Sequence, residues 1–151
     1  MGIIRTAIAF LVAAATSVMA SSAFYTQQII AKQAAIGGVY TPAQQAQTYF
    51  ENLRGLAFDG APSFGAIAAI ALGIGFAVAF VVKRILRPLA PIAYPIAGAA
   101  ALAGVIHIIN TVLFGGGTGA IGGARDAFGL TLQAVAGGLG GLVFAFLRPR
   151  G

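Results

Sequence analysis

Residues 64–82 read FGAIAAIALGIGFAVAFVV, nineteen positions without a charge. A helix of that length spans about 28 Å, close to the ~30 Å of hydrocarbon in a bilayer. A loop or open strand would leave amides and carbonyls unpaired in lipid, whereas a helix pairs them within the segment. The run gives way to KRILRP (83–88), a cationic turn of the kind that stays at a cytoplasmic surface.

Three other stretches follow the same pattern, at about 6–25 (TAIAFLVAAATSVMASSAFY), 91–114 (PIAYPIAGAAALAGVIHIINTVLF) and 127–147 (AFGLTLQAVAGGLGGLVFAFL). The expected fold is all-α, an integral membrane protein of four transmembrane helices forming one membrane domain over 1–151. Composition agrees: 59% of residues are hydrophobic, 8% are charged, and the mean hydropathy is +0.93. A soluble domain carries about a quarter charged residues, so this chain lacks the polar groups to cover itself in water.

The net charge of +6 does not point to nucleic acid. Arg5, Lys83, Arg84, Arg87, Arg148 and Arg150 flank apolar runs rather than forming a basic face. With the N-terminus in the cytoplasm, all six fall inside with no acidic residue among them. Lys32, Arg54 and Arg125 fall outside, balanced by Glu51, Asp59 and Asp126. Both termini are therefore expected in the cytoplasm. Seven arginines against two lysines, with abundant Ala and Gly, suit a GC-rich bacterial genome and hence a bacterial inner membrane. A rival reading takes the first segment as a secretory signal cleaved after Ala20, at VMA. Against it, SSAFY and TQQIIAKQAA carry the helical pattern past that point.

The segment 26–63 is the one sizeable part outside the membrane. Gly37-Gly38 is expected to end the outward extension of the first helix. Thr41 then reads as an N-cap with Pro42 at the first helical position. Ala46, Tyr49, Phe50, Leu53, Leu56 and Ala57 recur at helical spacing, giving a short extracytoplasmic amphipathic helix between spans one and two. Tyr49, Phe50 and Leu53 are its expected docking residues, set on the outer leaflet or the tops of the spans. With no tryptophan in the chain, Tyr25, Tyr40, Tyr49 and Tyr94 must supply any interfacial belt. The loop GGGTGAIGG (115–123) lacks the Lys-Ser/Thr ending and the preceding strand of a phosphate-binding loop.

Small residues four apart let helices approach closely. Gly137 and Gly141 form such a pair in the fourth segment, and Ala100 and Gly104 in the third. These strips pack the four spans on each other or on another chain, and spacing alone leaves both open.

Polar residues gather in the outer half of the bundle. His107 lies roughly 10 Å below the outer end of span three, with Asn110 one turn above it. Gln133 on span four falls at a similar depth, and Arg125 and Asp126 sit at its mouth. The leading reading is interhelical hydrogen bonding, with Gln133 the favoured partner of a neutral His107. A ligand, ion or proton path is the second. A metal or haem site is the third, but one histidine and no cysteine make a poor ligand set.

Chemistry is sparse. The absence of cysteine excludes disulfides and thiolate sites, no nucleophile elbow is present, and the three carboxylates form no intramembrane pair. No enzyme activity, cofactor or metal is expected. The expected function is a small structural or accessory subunit of a bacterial inner-membrane complex, or a homo-oligomer. The expected partners are the lipid bilayer and other membrane subunits or copies of itself. The alternative is a small transporter or channel component using the outer-half polar cluster.

Overall fold

A computed structural model describes residues 2–60, 62–113 and 126–148. Within them the chain is helical, and no strand forms. The elements are α1 (Gly2–Ala34), α2 (Pro42–Phe58), α3 (Phe64–Ile85), α4 (Ala93–Ile108) and α5 (Ala127–Leu147). A 3-10 turn, Arg87–Leu89, joins α3 to α4, and α4 continues into a π-helical turn, Ile109–Leu113. Four of the helices, counting α4 through Val112, are long and apolar enough to cross a membrane. The glycine-rich loop at 115–123 and Arg125 lie outside the described residues.

Local signals set the helix ends. At 33 residues α1 is about 50 Å long, so it outruns a ~30 Å apolar slab. It stops where Gly37 takes φ +88°, with the Gly38 amide donating to the Gln33 carbonyl at 2.9 Å and the Gly37 amide to Ala34 at 3.1 Å. This paired closure needs a left-handed residue, which glycine supplies without a steric penalty. Helix α2 starts in a capping box: the Gln44 amide donates to Thr41 Oγ1, and the Thr41 amide donates to Gln44 Oε1 at 2.9 Å. Ser63 caps α3, and Asp126 caps α5 by accepting from the Gly129 amide at 2.7 Å.

The long helices run antiparallel to their packed neighbours. The most extensive contacts join α4 to α5, then α1 to α5, then α3 to α4. Helix α5 is thus central, and glycine makes that possible. A Cβ built on Gly137 would collide with the Gly98 carbonyl, and one on Gly141 with the Tyr94 carbonyl. On the adjacent face of α5, a Cβ on Gly140 would strike the Ser17 hydroxyl and stand 2.7 Å from the Ala13 carbonyl. Two backbones therefore press on neighbouring faces of one helix, its glycine-rich side.

The third segment packs through a different strip from the one its spacing suggested. Gly98 and Leu102, not Ala100 and Gly104, face α5. Ala100 is exposed, and a Cβ on Gly104 would meet nothing within 4 Å. The reason is angular: two residues along a helix is a turn of about 200°, so choosing the neighbouring small pair selects the opposite face.

Helices α1 and α3 touch little, and the gap between them has two different ends. At one end α2 bridges it. Tyr49 OH donates to Gln27 Oε1 at 2.5 Å, Asn52 Nδ2 donates to Thr26 Oγ1 at 3.0 Å, and Leu53 and Ala57 pack against the buried cluster of Val18, Ala68, Leu102, Ile106 and Ala136. At the other end the gap stays open.

Candidate functional site

Among the described residues expected to form one polar cluster, Gln133 and His107 lie apart. Gln133 is buried in the seam between α1 and α5, where Ser21 Oγ donates to its Oε1 and its Nε2 donates to the Ser21 carbonyl at 3.3 Å. Its partner is thus Ser21, not His107. Thr26 continues the seam, giving its hydroxyl to the Ser22 carbonyl at 2.8 Å. The Ser17 and Ser22 hydroxyls are buried nearby, with no partner among the described residues.

His107 faces outward, next to the fully buried Ile106. One residue is about 100° of helix, enough to carry the imidazole out of the bundle. It shares that outward face with Ala100, seven residues earlier. Asn110 is half-buried in the π-helical turn, where Thr111 Oγ1 donates to the His107 carbonyl at 2.8 Å.

Asp126 stands at the mouth of α5 and pairs with Lys32 Nζ at 3.1 Å. The Gly129 amide, and then the Lys32 ammonium, hold its carboxyl below the ordinary Asp range. A depressed carboxylate stabilises the fold above its unfolded value, so this contribution persists at neutral pH and is lost only as pH falls through the lowered value. Of the expected docking residues, Tyr49 and Leu53 are occupied by α1 and the bundle, and Phe50 alone points away at 70% exposure.

A large groove lies elsewhere, at the open end of the gap between α1 and α3. It encloses about 1150 Å³. Ring packing forms its floor: Phe76 stacks on Phe144 at 4.6 Å between centroids and meets Phe10 and Tyr94 edge-on at 6.3 and 5.8 Å. Cations form its rim. Arg148 lies 4.7 Å over the Tyr94 ring and donates to Tyr94 OH at 2.5 Å. Lys83 is 5.0 Å from the Phe80 ring centroid and 5.5 Å from that of Tyr94, and Arg84 is 5.8 Å from Phe80. Aromatic faces attract these charges without neutralising them.

Sequence reasoning assigned Lys83, Arg84 and Arg148 to membrane orientation alone and missed this groove. A signal existed: Gly73, Phe76, Phe80, Lys83 and Arg84 recur at three-to-four-residue spacing along one face of α3. Among the described residues no group of His, Asp and Glu is placed to hold a metal ion. No family model, no curated protein and no solved structure matches the chain.

Proposed function

We propose that this chain is a small, non-enzymatic subunit of a bacterial cytoplasmic membrane that assembles with another membrane subunit or a second copy through the outward face of α4. Its apolar exterior supports insertion in the bilayer: Ile74, Val78, Ile96, Val135 and Phe146 all point away from the bundle. In water such surface would drive aggregation, whereas lipid covers it. Helix α2 fits the short amphipathic element outside the membrane, with Tyr25, Tyr40 and Tyr49 at that level. The cations of the α3–α4 turn and Arg148 then occupy the cytoplasmic side.

The observation that carries the assembly reading is His107. It stands on an exposed, otherwise apolar face, beside the small residues Ala100 and Gly104. Polar groups at membrane depth face protein far more often than lipid. The strip beside it is open and flat enough for another helix to approach closely. The transporter reading receives less support, because Gln133 is engaged by Ser21 and Thr26 by Asn52.

The chain has no native cysteine, so single cysteines report cleanly. Ala100→Cys, alkylated with a maleimide benzophenone, is expected to form an intermolecular photo-crosslink in membranes by insertion into a partner C–H bond. A product of twice the chain mass identifies a second copy, and any other mass identifies a different subunit. His107→Leu on that background should reduce crosslinking severalfold, yet change the stability of the isolated chain by less than about 0.5 kcal/mol, as for other exposed positions. Absence of any crosslinked product would contradict the proposal.

A further inference from the structure

We propose that the groove between α1 and α3 binds one anionic phospholipid of the cytoplasmic leaflet, its phosphate between Lys83, Arg84 and Arg148 and an acyl chain against the Phe10–Phe76 floor. The inference rests on the membrane-insertion reading and adds a ligand to it.

Charge gives the first argument. Three cations rim the groove, and their neighbours are aromatic rings. The only acidic residues in the chain are Glu51, Asp59 and Asp126. Glu51 and Asp59 belong to α2 and its end, which bridges the opposite end of the gap, and Asp126 pairs there with Lys32. No side-chain carboxylate among the described residues reaches the basic rim, and an external anion is the complementary group. Arginine and lysine both recognise phosphate by charge-assisted hydrogen bonds.

Length gives the second. The groove follows α3 from Gly73 to Arg84, eleven residue rises or about 16 Å. That is about half of a ~30 Å hydrocarbon core, the depth of one leaflet. The apolar wall ends where the cations begin, so the lining changes character where a phospholipid does. At about 1150 Å³ the space exceeds the ~300–1,000 Å³ of ordinary small-molecule pockets. The open side faces outward between two helices, which allows lateral entry from the bilayer.

The full chain, extracted in mild detergent and delipidated, can be titrated with dioleoyl phosphatidylglycerol or dioleoyl phosphatidylcholine and read by native mass spectrometry. One phosphatidylglycerol should bind per chain, at least about tenfold more tightly than phosphatidylcholine. Lys83→Gln with Arg84→Gln should erase that preference in chain that remains folded, as its circular dichroism would show. Ala77→Phe, which fills the groove without touching the rim, should weaken both lipids. Equal binding of the two lipids, a preference that survives the double substitution, or inorganic phosphate competing at lipid-like affinity would overturn the proposal. Alkaline carbonate extraction of native membranes separates the two readings. Release of the chain defeats membrane insertion itself, whereas retention without phosphatidylglycerol selectivity defeats the lipid site alone.

Discussion

Gly137→Leu is expected to destabilise the chain by about 3 kcal/mol or more, the upper range for forcing volume into a packed core. The cause is local. The Cβ alone would collide with the Gly98 carbonyl and stand 2.9 Å from Leu102 Cβ. A backbone carbonyl has no rotamer to escape into, so α4 must move as a unit. A sideways shift of α5 is restricted too, because Ser17 and Ala13 already press on its adjacent Gly140 face. Gly104→Leu is the control. It introduces the same side chain on α4 where nothing lies within 4 Å, and it gains up to about 1 kcal/mol of helix propensity. Denaturant titration of both variants in the same detergent checks the contrast. Equal effects would mean that α4 and α5 do not meet through glycine.

The second large effect belongs to the Gln133–Ser21 pair, and it should be asymmetric. Ser21→Ala leaves a nearly fully buried amide without its hydroxyl donor and should cost about 1–2 kcal/mol. Gln133→Leu should cost less than about 1 kcal/mol. The Ser21 hydroxyl it leaves behind can turn to the carbonyl one turn earlier in its own helix. A double-mutant cycle isolates the coupling between them. Additive single effects, with no coupling term, would contradict the pairing.

These two sites show what a single sequence reveals and where it stops. Helix positions were legible because apolar length, Thr41-Pro42, Ser63 and Gly37-Gly38 are local signals, set by bonds within a few residues. The register of α4 against α5 was legible too, since counting rises from the span ends sets His107 level with Gln133, and Leu102 meets Gly137 about one turn further along. Azimuth was not. Whether residue 106 or 107 faces inward depends on which neighbour α4 meets, and Gly98 and Leu102 fix that by fitting α5. Gln133 therefore meets Ser21 on α1, a partner 112 positions away in the chain. The groove was hidden for the same reason. The α3 side of it is a readable face, but Tyr94, Phe144 and Arg148 join it only through the arrangement of three helices. Reading Tyr94 as a belt residue and Arg148 as an orienting charge described each side chain singly and missed that they touch.

The central claim is a four-span chain with its cationic groove on the cytoplasmic side. The native absence of cysteine allows one direct measurement. Single cysteines at Gln45, Leu86 and Arg150 can be labelled with a membrane-impermeant maleimide, in intact spheroplasts and after permeabilisation. Gln45→Cys should react in intact spheroplasts, and Leu86→Cys and Arg150→Cys only once the membrane is opened. Labelling of Leu86→Cys or Arg150→Cys in intact spheroplasts, or protection of Gln45→Cys until permeabilisation, would contradict the account.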